Sequence, residues 1–288
     1  MGRRVGRLRR RLTRLGTEGA SQRFLALPDT ALLLVAVVIP LLFVVARSLA
    51  QVDPVTLEVN QAWTWEAYRR MLSPVYREVL ARSAAFAAAT VVLCVAIGTP
   101  AALAISRLSE RWRTVMLVIV LLPSFVNFTV RIFAWQGLLA NGGPVQTVFG
   151  VRWLYQPPAV ALGMVTAYVP LYVLPVVAGL HRAPPDVFDA AADLGAGPWR
   201  TLWRVTLRLA RVGIATGTGV VGVLSLGEFV VPTLLGGGRV MLVGSLLAER
   251  GAGRDQPLAG ALTTVLLLTL ALGAALLTMA RRRVMRHE

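Results

Sequence analysis

Six stretches of this chain carry no charged side chain: Thr30–Ala46, Ser83–Ser106, Thr114–Val130, Trp153–Leu180, Val212–Gly227 and Gln256–Ala280. About 20 apolar residues in a helix cross the hydrocarbon core of a bilayer. In that medium a segment must satisfy its own backbone hydrogen bonds, which favours helices. The six stretches therefore predict an all-α membrane protein of about six transmembrane helices. With 56% of its 288 residues hydrophobic, the chain has more apolar surface than one soluble core needs.

A formal charge of +16 would suit nucleic acid, but its placement excludes that class. All thirty basic residues are Arg, and twenty fall in four groups: before Pro28, in Arg107–Arg113, in Arg182–Arg211 and in Arg281–Arg286. Counted across six spans, these groups share one side. That bias is the positive-inside signal and puts both termini in the cytoplasm. Residues 1–27 form a cytoplasmic basic tail drawn to anionic lipid headgroups, and 28–286 the transmembrane domain. The Arg-rich start followed by Thr30–Ala46 also has the outline of a signal peptide. The run is long for one and Ser48–Ala50 is a weak cleavage site, so an uncleaved first helix is expected. Cys94, the single cysteine, lies mid-span and reads as a small buried hydrophobe.

Polar residues inside the apolar stretches are candidates for a translocation path, because they are costly in lipid and usually face a cavity, a partner or the interface. The third span continues as LLPSFVNFTVRIFAWQGLL and carries Asn127 and Arg131. The fourth, Pro157–Leu180, holds Pro170 and Pro175 with Tyr168 and Tyr172 nearby. In the fifth, Val212–Leu235, Gly213 and Gly217 have the spacing of close helix packing. Glu228, beside Phe229, is the only acid within any span. Either it faces the path, or it sits near the outer headgroups, since Pro232 and Gly236–Gly238 soon follow.

The segment 183–211 has more structure than a linker requires. Pro184-Pro185 ends the fourth span, Asp186 suits a helix N-cap, and Asp189 approximates a capping box. A short helix Val187–Leu194 would stop at Gly195. Its Ala190-Ala191 surface is flat enough to enter a groove of another protein. A second helix from Pro198 would gather Trp199, Leu202, Trp203, Thr206 and Leu209 on one side. Arg200, Arg204, Arg208 and Arg211 lie opposite, as expected of an interfacial helix.

The sequence DAAADLGAGPWRTLWRVTL resembles the EAA loop of binding-protein-dependent ABC importer permeases, with Asp189, Ala190, Ala191 and Gly195 on the motif positions. Two departures stand out: Asp189 replaces the usual Glu, and Leu207-Arg208 stands where Leu-Pro often closes the motif. LLPSFVNFTVRIFAWQGLLANGG and LSLGEFVVPTLLGGGRVMLVGSLL resemble first permease subunits of the spermidine/putrescine type. Related branches carrying thiamine, iron, sulfate or phosphonate share pieces of both.

The resemblance implies a type I importer (MetI-like) permease fold. It also implies that Val187, Phe188, Asp189, Ala190, Ala191, Asp193, Leu194 and Gly195 dock into a cytoplasmic ATPase. Its expected partners are two ATPase copies, a second homologous permease and an external substrate-binding protein, in a bacterial inner membrane. No GxxxxGK[ST] occurs and Lys is absent, so the chain itself is expected to hold no cofactor, with ATP and Mg bound by the ATPase. Two other readings are weaker. A membrane-embedded enzyme would need polar clusters, and His181 and His287 are the only histidines. A secondary transporter would favour inverted repeats, and none is visible.

Overall fold

In the computed structural model, residues 32, 34–53, 59–60, 62–181, 186–252 and 255–285 are described. The expected basic tail and Pro184-Pro185 lie outside them. The described chain is almost entirely helical. The apolar helix α1 (Leu34–Ser48) leads to a two-stranded antiparallel ribbon, β1 (Gln51–Val52) and β2 (Val59–Asn60), and to α2 (Glu66–Met71). Then follow α3 (Pro74–Ser106), α4 (Glu110–Phe125), α5 (Phe128–Leu139), α6 (Pro144–Phe149) and α7 (Pro157–His181). The second half comprises α8 (Asp186–Asp193), α9 (Pro198–Thr201), a π-helical turn Leu202–Thr206, α10 (Leu207–Leu226), α11 (Val230–Gly236), α12 (Val243–Ala252) and α13 (Gln256–Met285).

Among the described residues, four helices are long and apolar enough to cross a membrane: Pro74–Ser106, Pro157–His181, Trp199–Leu226 and Gln256–Ala275. The α4–α5 unit makes a fifth crossing when its two halves, bent by 89°, count as one span. The shorter α1 is a further apolar helix. Burial identifies the centre: 61% of the apolar window of α7 is enclosed, against 28–33% for the other three. Met164, Tyr172, Val173 and Val176 on α7 are fully buried against α3, α10 and α11. The outward faces of α3 and α4 expose Val92, Ile97, Val118, Ile119 and Leu122, as lipid contact requires.

Three expectations change. The third span is not one helix. Val126 and Asn127 adopt extended backbone angles, and Asn127 Oδ1 accepts from the amides of Thr129 at 3.0 Å and Val130 at 3.4 Å, starting α5. The fifth span ends at Leu226, nine residues short of the expected Leu235, and Glu228 lies in the break before α11. The inner loop's second helix is no separate connector either, because Trp199–Leu226 is one continuous rod. Its π-helical turn changes the facing: Trp199 and Trp203 are 71% and 59% exposed, whereas Thr206, expected on the same side, is buried.

Candidate functional site

The first candidate region is α8 with its exit. Asp186 opens the helix and Gly195 follows it at φ +69°, a conformation that favours glycine. The amide of Ala196 donates to the Ala191 carbonyl at 3.0 Å and that of Gly195 to the Ala192 carbonyl at 2.9 Å. This pair of bonds is the Schellman arrangement, which satisfies carbonyls a helix end leaves open. Ala191 is buried, while Phe188, Ala190, Asp193 and Leu194 are exposed and Val187 is half-buried. Asp189 lies on the helix by its backbone, and its side chain is outside the described residues. Among its described side chains, Ala191 anchors the helix, and Phe188, Ala190 and Leu194 leave an open, largely apolar surface. Four residues separate its end at Asp193 from Pro198, where the rod begins that runs into α10.

The second region joins the two helix breaks. Glu228 is 8% exposed. Its Oε1 accepts from the backbone amides of Val230 at 2.8 Å and Val231 at 3.2 Å, so it caps α11. Its Oε2 accepts from the Tyr168 hydroxyl on α7. Both oxygens are therefore engaged, and the negative charge sits at the positive end of α11. Arg131 on α5 lies within electrostatic range of Tyr168, donates through Nη1 to the Pro123 carbonyl at 2.8 Å and stacks over the Phe128 ring at 5.3 Å. Its half-buried guanidinium keeps Nε without a partner among the described residues.

Of the path candidates, the fold brings Arg131, Tyr168 and Glu228 together across α5, α7 and the α10–α11 break. Asn127 is one helical turn away from Arg131, as the cap of α5. Phe229 points elsewhere and is 48% exposed. Tyr172 is wholly buried, its hydroxyl hydrogen-bonded to Thr99 Oγ1 at 2.8 Å. The grouping of Arg131 with Glu228 was not anticipated. Each looked costly in its own apolar stretch, and the sequence signal was that both stretches carry one stray charge just beyond a break.

Comparison with known proteins bears on these features. The family model described as "Binding-protein-dependent transport system inner membrane component" matches residues 94–286. The spermidine/putrescine transport system permease protein PotB of Salmonella typhimurium (strain LT2) is 28% identical, over 85% of this chain and 88% of its own length. The inner membrane ABC transporter permease protein YdcU of Escherichia coli K12 is 30% identical, over 76% of this chain and 77% of its own. Among solved structures, one chain of a bacterial alginate ABC transporter, in complex with its pentasaccharide-bound periplasmic protein, superposes with a TM-score of 0.73. The identity there is 16%, over 95% of this chain and 98% of that one, a likeness of fold.

Proposed function

This chain belongs to the inner membrane components of binding-protein-dependent transport systems, and on that premise we propose that it forms half of the path of an ATP-driven polyamine importer. As an ABC importer permease it is a multi-pass inner-membrane transport subunit rather than an enzyme. The polyamine assignment draws on its likeness to PotB. Other small solutes handled by related permeases are the second reading.

The observation that carries the coupling role is the position of α8, exposed and set between α7 and the rod that becomes α10. Those two spans pack against each other along Gly179, Gly213 and Gly217, so a push on α8 reaches both. We assign Val187, Phe188, Asp189, Ala190, Ala191, Asp193, Leu194 and Gly195 to contact with a cytoplasmic ATPase, within the coupling loop 183–211. Two ATPase copies, a second homologous permease and an external binding protein complete the assembly. ATP and Mg belong to the ATPase. The Arg distribution supports a cytoplasmic location for both termini, with 1–27 as the basic tail and 28–286 as the permease domain.

In this reading ATPase closure moves α8, shifts α7 and α10 together, and opens the path outward. Asn127, Arg131, Glu228 and Phe229 lie at or beside the two breaks, where such a shift would be felt, Tyr168 meets Glu228 from α7, and Asn127 and Phe229 are the exposed contacts. Tyr172 supports the path as packing between helices. The test is uptake of labelled spermidine and putrescine by the assembled importer. Competition by unlabelled polyamine should abolish uptake, whereas excess sulfate, phosphonate or thiamine should leave it intact. The opposite pattern replaces the cargo.

A further inference from the structure

Beyond these residues, a cavity of about 310 Å³ lies between α11 and α12, lined by Pro232, Thr233, Val240, Met241, Ser245 and Glu249 among others. It sits near the end of the α9–α10 rod opposite α8, on the external side in the orientation proposed above. Ser245 and Glu249 are four residues apart on α12, so they share one face, and Met241 lies just before that helix. Ala248 also lines the cavity.

Two features of this lining point to a ligand. Glu249, exposed at the cavity mouth, is the one charged group among the lining residues, and it makes no ion pair among the described residues. Ser245 Oγ is buried and has no hydrogen-bond partner among the described residues. Many helical hydroxyls bond a carbonyl one turn back, such as Thr216 to Val212 at 2.8 Å and Thr263 to Ala259 at 2.8 Å, though Ser225 Oγ on α10 shares the lack of a partner. A buried hydroxyl without a partner is costly, and one beside an unpaired carboxylate offers acceptors where an incoming donor would be welcome. A primary ammonium carries three donors and no acceptor, and a methylene chain attached to it suits the apolar remainder of the lining.

We propose that the α11–α12 cavity is a binding station for one ammonium end of an alkylamine cargo, with Glu249 as counter-charge and Ser245 Oγ as acceptor. Occupation would put the rest of the chain next to the Gly227–Phe229 break, because α12 begins against it: a side-chain carbon on Gly244 would lie 2.7 Å from the Glu228 carbonyl carbon. The station concentrates cargo at the entrance instead of carrying it through. This rests on the cationic-cargo reading above.

The test uses the complete importer in proteoliposomes with Ala248→Cys. Cys94, the only native thiol of this chain, is fully buried, so labelling read on this subunit after the subunits are separated reports the introduced thiol. A cationic methanethiosulfonate should react faster than its neutral analogue, spermidine should protect, and Glu249→Gln should remove both effects. Glu249→Gln alone should raise KM for spermidine uptake roughly two- to fivefold, the range of a part-exposed ion pair, with maximal rate kept. Equal labelling by both reagents together with an unchanged KM overturns the station. An importer that moves no spermidine sinks the cargo reading instead, and the reagent preference, measured without cargo, still decides on the cavity.

Discussion

Tyr172 and Gly98 are fitted so closely that a side-chain carbon on the glycine would lie 2.5 Å from Cδ1 of the tyrosine ring. On the other side of the ring Gly217 leaves the same room, with Cδ2 at 2.9 Å from such a carbon. The ring is a wedge joining α7 to α3 and α10, tied by its hydroxyl to Thr99.

The wedge predicts a graded series. Tyr172→Phe loses one hydrogen bond and should cost about 1 kcal/mol. Tyr172→Ala empties a fully buried site and should cost about 3–5 kcal/mol. Gly217→Val, which overpacks it, should cost about 1–3 kcal/mol. Melting of the detergent-solubilised permease should rank Phe mildest. A Tyr172→Ala protein as stable as the parent would mean the ring is not structural.

Glu228 lends itself to a similar comparison. Glu228→Gln keeps an acceptor oxygen for the α11 amides, whereas Glu228→Ala leaves those amides and the Tyr168 hydroxyl without their partner. The alanine variant should lose about 1–3 kcal/mol and assemble poorly. The glutamine variant should assemble and separate the charge from the cap. If its uptake matches the parent, Glu228 acts through the fold of the break; if uptake falls while assembly holds, the charge acts in transport.

The apolar segments were legible because lipid imposes one rule on every crossing residue. The breaks were not. Asn127 and Glu228 read as polar residues stranded within spans, when each spends its acceptors on the amides of the next helix and so marks a boundary. A polar residue in an apolar run has two meanings, cost or cap, and only backbone geometry separates them. The tight stop at Gly195 was readable because glycine there answers a local need. The joining of Trp199 to α10 was hidden by the Arg stripe, which resembles an interfacial face until the π-helical turn rotates Thr206 inward. Tyr172 looked like a path aromatic because its partners Gly98 and Gly217 are distant in sequence.

At the other end of the bundle, Arg70 holds Asp255 through two bonds of 3.0 and 3.1 Å, tying α2 to the start of α13. The pair is partly exposed, at 38% and 18%, so its worth is at most about 1 kcal/mol. Asp255→Asn should therefore leave overall melting almost unchanged. It should speed amide exchange in Glu66–Met71, and added salt should shift the parent towards the variant. Unaltered exchange there would show that packing of α2 on α13 holds the segment without the ion pair.

The coupling assignment makes the sharpest demand, because α8 is exposed and its variants should spare the membrane bundle. Gly195→Val forces a β-branched residue into φ +69°, a strain of about 1–3 kcal/mol placed on the helix exit alone. Ala190→Trp adds bulk on the open surface without touching the buried Ala191. Both proteins should insert and melt like the parent. Ala190→Trp should abolish co-purification of the ATPase, since the bulk stands where a groove must close over the helix. Gly195→Val should retain some binding but lose cargo-stimulated hydrolysis, since a reshaped exit no longer passes the push from α8 into the α9–α10 rod. Full stimulation in both would move the ATPase contact elsewhere. Loss of both functions in Gly195→Val with none in Ala190→Trp would confine the contact to the turn after α8.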